Sequence, residues 1–285
     1  MELTNIGTIK DLFARHRFSF TKSLGQNFLI NPSVCPKIAE LGQEGAAEPS
    51  GVCALEIGTG VGVLTCELAK RYKKVVAVEI DEKLKPILEE TLAGLDNVEI
   101  IFADVMEIDL AAVIADKFGC AEVAVCANLP YYITSPVIMR VLESRLPVRS
   151  MTVMVQKEAA ERLCAMPGTR KCGAISYAVR YYSTPRLMFK VNRGSFMPSP
   201  NVDSAVIRME IGNPESLSEK EEKTLFRLIK SGFSQRRKQL VNPLSGELHK
   251  SKEELAALFT KLGIKPSARA EELSLEDYIN IARSI

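Results

Sequence analysis

VCALEIGTGVG, residues 52–62, is the stretch whose reading decides the fold. An apolar run, Val52 to Ile57, stops at Gly58 and passes through Thr59, Gly60, Val61 and Gly62 into Val63, Leu64, Leu68 and Ala69 at helical spacing. Strand, glycine-rich turn and helix make up the nucleotide-binding unit of a doubly wound sheet. Glycine tolerates positive φ and lets a ligand approach the backbone closely. A second strand, Val75 to Val78, ends in Glu79, nineteen residues after Gly60. An acid there is placed to hold the two hydroxyls of a ribose. The spacing is GxGxG rather than GxGxxG, which favours a nucleoside without phosphates. A tight turn followed by a surface acid is the competing reading, weaker where both features occur together.

Working outward, Asp81 heads a helix through Leu92, and Val98 to Phe102 forms a third strand ending in Ala103 and Asp104. Asp104 is placed either to accept from the exocyclic amine of a bound adenine moiety or to cap a helix. The fourth strand, Val123 to Cys126, delivers Asn128, Leu129, Pro130 and Tyr131. The expected class is therefore α/β, a doubly wound and mostly parallel sheet, with Gly58, Glu79, Asp104 and Asn128 at the carboxyl ends of consecutive strands, the edge where open α/β sheets bind ligands. The Asn128 amide oxygen and the Leu129 carbonyl can accept hydrogen bonds from an exocyclic NH2, and Tyr131 can stack on the ring that carries it. An amino-methylation motif fits; so does an ordinary turn.

Toward the amino terminus, Thr8 to Arg15 has helical spacing, Lys22 to Leu29 reads as a loop with polar hooks, Gln26 and Asn27 among them, and Asn31 with Pro32 is expected to open a helix to about Leu41. Toward the carboxyl terminus come a fifth strand at Met151 to Val155, a helix from Lys157, and strands at Leu187 to Val191 and Val202 to Ile211. Between the last two, FMPSP at 196–200 is expected to hold Phe196 in a stiff loop, either facing Tyr131 across a flat ligand or anchoring the loop. From Asn213 the pattern is helical, with capping-box spacings at Ser218/Glu221 and Ser251/Glu254. We therefore expect a domain over 1–212, with a helical extension over 1–50, followed by a helical domain over 213–285.

The net charge of +2 conceals segregation. Residues 162–202 contain no acid and seven basic residues, among them Arg170, Lys171 and Arg193, interleaved with Tyr177, Tyr181, Tyr182, Phe189 and Phe196. Residues 226–240 are also acid-free and add Arg236, Arg237 and Lys238. Residues 78–122 carry twelve acids against three lysines. This pattern favours nucleic acid over merely solvated faces. Seven cysteines, an odd number without CxxC spacing, argue for reduced thiols in a cytoplasm and against a disulfide framework or zinc site. Two histidines leave little for histidine-based chemistry. No apolar run approaches the ~20 residues of a membrane span, and residues 1–17 lack the apolar core of a signal peptide.

Assembled, these residues resemble the small-subunit (16S) ribosomal RNA adenine dimethyltransferases of the KsgA type. The resemblance rests on KSLGQNFL at 22–29, EIGTGVG at 56–62, VEID at 78–81, AD at 103–104, NLPYYITSP at 128–136, FMPSPNVDSAV at 196–206, FSQRRKQL at 233–240 and RAEELSLEDY at 269–278. It implies a seven-stranded class I methyltransferase domain using S-adenosyl-L-methionine, with S-adenosyl-L-homocysteine as product and no metal. It further implies N6-dimethylation of two adjacent adenosines in the 3′-terminal hairpin of 16S rRNA by a cytoplasmic monomer. Cofactor contacts would fall on Gln26, Asn27, Leu29, Gly58, Gly60, Glu79, Ile80, Asp104 and Asn128. Catalysis would fall on Asn128, Leu129 and Pro130 with the rings of Tyr131 and Phe196, and RNA contacts on Arg170, Lys171, Arg193, Arg236, Arg237 and Lys238. Thr59 stands where the family usually has proline and Ala174 where arginine is common. The rival readings are a 23S rRNA adenine methylase of the antibiotic-resistance kind, a ribosome-assembly factor whose catalysis is secondary, and a DNA adenine methylase.

Overall fold

The computed structural model describes residues 1–21, 24–119, 121–212 and 217–285. Lys22 and Ser23 of the KSLGQNFL motif, and the expected domain start at Asn213, lie outside the described residues. In chain order the elements are α1 (Ile6–Arg15), β1 (Phe28–Leu29), α2 (Val34–Gln43), β2 (Cys53–Ile57), α3 (Val63–Ala69), β3 (Val75–Glu79), α4 (Lys85–Thr91), β4 (Val98–Phe102), α5 (Leu110–Phe118), β5 (Val123–Asn128) and α6 (Thr134–Glu143). They continue as β6 (Val148–Gln156), α7 (Lys157–Leu163), α8 (Ala174–Tyr182), β7 (Ser183–Val191), β8 (Phe196–Met197), β9 (Ser204–Ile211), α9 (Glu219–Ser234), α10 (Val241–Leu248), α11 (Lys252–Lys261) and α12 (Leu275–Arg283).

The chain divides into two compact units. The first, Met1–Ala160 with Pro185–Ile211, carries a seven-stranded sheet of order β4-β3-β2-β5-β6-β9-β7. Pairing is parallel from β4 through β6 and antiparallel between β6 and β9. β2, β3 and the first five residues of β5 are buried at every position, which is why they read as unbroken apolar runs. The chain steps from β2 outward to β4, then returns to the other side of β2 at β5. Right-handed crossovers therefore send the α3 and α4 connections to one face and those of α5 and α6 to the other. The reversal opens a crevice between the carboxyl ends of β2 and β5, where the glycine turn and Asn128 emerge.

Over one face, α2 and α3 bury Val34, Cys35, Ile38, Ala39, Leu64 and Leu68 against Ala54, Ala124, Cys126 and Met154. Burial of each such aliphatic side chain contributes roughly 1.5–3 kcal/mol. Asn31 does not cap α2: its Oδ1 accepts from the Ser33 N–H at 3.0 Å and the Ser33 hydroxyl at 2.9 Å, closing a turn, and the helix starts only at Val34. Phe196 and Met197 are not loop but a short strand, β8, antiparallel to β1, with Phe196 opposite Leu29. β9 lies inside the sheet between β6 and β7, and six of its eight residues are buried.

The second unit, Glu161–Thr184 with Gly212–Ile285, is helical, so the single boundary expected at 212 needs correcting. Residues 161–184 belong with the carboxyl-terminal helices because α8 is apolar on the face it turns to them. The Tyr177 hydroxyl donates to the Leu273 carbonyl at 2.5 Å, and its ring meets Tyr278 edge-on with centroids 5.1 Å apart. Tyr181 and Tyr182 pack on Phe226. The capping boxes at Ser218/Glu221 and Ser251/Glu254 are both formed, and Ser274/Asp277 makes a third.

Candidate active site

The cleft at the sheet's reversal is lined by Gln26, Asn27 and Leu29 from the amino-terminal loop and by Gly58 and Gly60 after β2. Glu79 and Ile80 after β3, Asp104 after β4, and Asn128 to Tyr131 after β5 complete it, with Phe196 from β8. Counting the solvent at its open mouth, the space within it is about 1270 Å³. Every expected donor-side and acceptor-side residue is thus brought to one cleft.

Gly58, Gly60 and Gly62 all have positive φ, at 79°, 57° and 90°, a backbone that L-residues with a Cβ rarely adopt. A Cβ on Gly58 would meet nothing within 4 Å, so the space above the turn is open to a ligand. The turn is held by Glu79, which is buried. Its Oε2 accepts from the Thr59 N–H at 2.9 Å, the Thr59 hydroxyl at 2.9 Å and the Gly60 N–H at 3.1 Å; its Oε1 accepts from the Asp81 N–H at 2.9 Å. Most of the carboxylate's capacity is therefore spent on the protein, and only Oε1 retains an open lone pair for a hydroxyl. Thr59, which stands where the family usually has proline, adds its hydroxyl to this network.

Asp81 in turn accepts from the Gln26 amide at 2.7 Å, which ties the amino-terminal loop to the turn after β3, and within that loop the Asn27 amide donates to the Gly25 carbonyl at 2.9 Å. Asp104 Oδ1 accepts from the Met106 N–H at 2.8 Å, closing its own turn; the rest of the carboxylate lines the cleft. Ile80 is 47% exposed, an apolar side chain left at the cleft wall beside two acids. Behind the turn, Glu56 is wholly buried with no hydrogen-bond partner for either oxygen. Burial pushes its pKa up to about 8; the Thr65 hydroxyl, itself without a hydrogen-bond partner, offsets part of the rise, and the Glu79 charge adds to it.

On the acceptor side, Asn128 is the last residue of β5, and the Leu129 N–H extends the ladder to the Met154 carbonyl at 3.1 Å. No described residue bonds the Asn128 carboxamide or donates to the Leu129 carbonyl. Pro130 has no N–H and a fixed φ, so the two acceptors are held without a competing donor. The Tyr131 hydroxyl lies 2.8 Å from the Ser204 hydroxyl, and burial raises its pKa, so the ring is neutral and tethered at its far end. Phe196 reaches the cleft wall but is 4% exposed and packs with Leu29, Cys35 and Ile38, more an anchor of β8 than a free stacking face. Tyr132, not singled out in the sequence, is 54% exposed at the cleft mouth. Burial first, then the Asp104 and Glu79 charges, raise its phenol pKa.

The basic candidates are less uniform. Arg237 and Lys238 are exposed, without a side-chain partner among the described residues. Arg236 is committed: its Nε faces Glu271 at 3.3 Å, its Nη2 donates to the Arg170 carbonyl at 3.2 Å, and its guanidinium stands 5.6 Å from the Phe233 ring centre. Lys171 pairs with Glu161 at 2.5 Å, and Arg193 is exposed in the sheet-bearing unit. Tyr177, Tyr181 and Tyr182, which suggested stacking on nucleotides, are buried at 0%, 1% and 6% exposure and hold the helical unit together instead.

Among the described residues no group of three or more His, Cys, Asp or Glu side chains is placed to hold a metal ion. Residues 17–285 match the family model described as "Ribosomal RNA adenine dimethylase". The chain is 45% identical over 291 residues to the ribosomal RNA small subunit methyltransferase A of Geobacillus thermodenitrificans, covering 100% of this chain and 97% of that protein. It is 44% identical to the enzyme of that name from Alkaliphilus oremlandii, over 97% of this chain and 95% of the other. A dimethyladenosine transferase from Plasmodium falciparum shares the fold, with a TM-score of 0.73, 24% identity and coverage of 89% and 95%. The 23S rRNA methyltransferase ErmE superposes with a TM-score of 0.68 at 25% identity, covering 90% and 98%. With the family model spanning nearly the whole chain and relatives this similar end to end, the protein belongs to the ribosomal RNA adenine dimethylase family, a family of methyltransferases.

Proposed function

We propose that this protein dimethylates N6 of two adjacent adenosines in the 3′-terminal hairpin of 16S rRNA on the small ribosomal subunit, using S-adenosyl-L-methionine. It would act as a cytoplasmic monomer during subunit biogenesis. The observation that carries the reading is the pair of free acceptors, the Asn128 carboxamide and the Leu129 carbonyl, in the same cleft as the glycine turn and the acids of β3 and β4. The donor-side residues fit the proposed cofactor: Gly58 admits a close ligand, Glu79 Oε1 and Asp104 offer acceptors to hydroxyl and amine groups, and Ile80 offers an apolar face. When bound, that cofactor supplies an electrophilic methyl on a sulfonium.

The chain's part is alignment and hydrogen bonding. An adenine N6 lone pair is delocalised into its ring; acceptance of both N–H bonds by Asn128 Oδ1 and the Leu129 carbonyl turns the amine toward tetrahedral geometry and frees that pair. Orientation alone can lower a bimolecular barrier by roughly 7–11 kcal/mol. A base held against Tyr131 must first leave its stack, at a cost of a few kcal/mol that ring stacking offsets. Transfer of a second methyl needs the amine to be held after one N–H has been lost, which two separate acceptors permit. Arg237 and Lys238 would supply phosphate contacts.

The likeness to ErmE keeps a 23S rRNA substrate as the second reading. Incubation of the protein with labelled cofactor and either 30S particles, 50S particles or naked 16S rRNA, followed by mass spectrometry of the nucleosides, decides between them. Dimethyladenosine in 30S particles alone supports the proposal; modification confined to 50S particles overturns it; RNA binding without methyl incorporation leaves only an assembly role.

A further inference from the structure

Tyr131 and Ser204 are 73 residues apart, yet their hydroxyls meet at 2.8 Å. Ser204 has no exposed surface and is the first residue of β9, in register with Gln156, the last of β6. The strand start is itself held from both sides. The Lys157 N–H donates to the Asp203 carbonyl at 3.0 Å, and the Arg193 N–H donates to Asp203 Oδ1 at 3.0 Å. Tyr131, by contrast, sits on a turn outside the sheet, and no other hydrogen bond reaches its side chain among the described residues. A ring on a turn can pivot about χ1 and χ2 unless its far end is held. Here one buried hydroxyl on a rigid strand is that restraint.

We infer that Ser204 is a positioning residue, which sets the plane of the Tyr131 ring and hence where a flat acceptor lies relative to Asn128. The inference rests on the reading of Tyr131 as the face on which the acceptor base stacks. It assigns the phenol a mechanical task only. The hydroxyl is engaged by Ser204; burial raises its pKa, the Ser204 hydrogen bond offsets part of that rise and the Asp203 charge adds to it. Catalysis is sensitive to this kind of restraint, since a displacement of about 1 Å can cost on the order of 10²-fold in rate.

The test is a double-mutant cycle with Ser204→Ala and Tyr131→Phe, measured on the accepted ribosomal substrate, with Tyr131→Ala as a separate control. Each single variant is expected to lose about tenfold in kcat, with donor affinity by calorimetry and the thermal midpoint near wild type. The double variant should lose no more than either single one, because both delete the same restraint. Independent losses that multiply to about a hundredfold, or wild-type kcat in Ser204→Ala, overturn the inference. A fall in midpoint and donor affinity that parallels the loss of kcat also overturns it, by showing a role in folding alone. If Tyr131→Ala keeps full activity, the stacking reading itself is wrong; if it is inactive while Ser204→Ala is not, only the positioning role is.

Discussion

The two halves of the cleft are built on opposite principles. On the donor side, Glu79 takes four hydrogen bonds from its own chain and Asp81 and Asp104 each accept at least one, so the carboxylates shape the turns as much as they face the cleft. On the acceptor side, the Asn128 carboxamide and Leu129 carbonyl take none from described residues. In the proposed reaction, the difference would separate a preorganised seat from a pair of groups that bond the reacting amine only when it arrives, and only interactions of the second kind could act on the amine's geometry.

The comparison fails most visibly if Asn128 proves dispensable. Asn128→Ala should lower kcat by roughly 10³-fold, the scale of removing one preorganised polar group, with RNA affinity by filter binding near wild type. Full turnover would falsify its role. On the donor side the effect should fall on binding instead. Glu79→Ala strands the Thr59, Gly60 and Asp81 N–H groups and should weaken cofactor affinity by about 10–100-fold in calorimetry, the worth of one or two hydrogen bonds to a charged group. Unchanged affinity would remove Glu79 from the seat and erase the contrast.

Glu56 sharpens the donor side through pH. Its folded pKa of about 8 lies above the carboxylate's ordinary value, so the folded state holds a proton that the unfolded chain releases. The stability this confers is complete below pH ~4.5 and is lost at up to about 1.4 kcal/mol per pH unit as pH rises toward 8. Glu56→Gln should therefore raise the thermal midpoint by several degrees at pH 8 and by little at pH 5; equal midpoints at both would mean that the site hydrates the carboxylate. The smallest effect is expected away from the cleft. Gln at Arg237 and Lys238 should flatten the salt dependence of RNA binding by up to about two units of slope, whereas Arg236→Gln should act more on the helical unit's stability, given its ties to Glu271 and Phe233. Identical slopes would make the two exposed cations mere surface charge.

Residues whose role depends on local pattern were legible in the chain itself. Apolar runs ending in glycine, acid or Asn–Leu–Pro–Tyr announce parallel strands and put their last residues on one edge, because side-chain period and crossover handedness leave few alternatives. The capping boxes are equally local, since donor and acceptor are three residues apart. What pattern could not decide was which polar group meets which across the fold. Aromatics in a basic window look the same whether they face RNA or a core; packing assigned Tyr177, Tyr181 and Tyr182 to the core and α8 to the helical unit. Pairing of β8 with β1 placed Phe196 against the hydrophobic core. The links from Thr59 to Glu79 and from Tyr131 to Ser204 span 20 and 73 residues and exist only once the sheet has set its register. Short-range stereochemistry and hydrophobic period are properties of a stretch of chain, whereas a hydrogen bond needs two groups within about 3 Å, a distance that only the closed tertiary structure imposes.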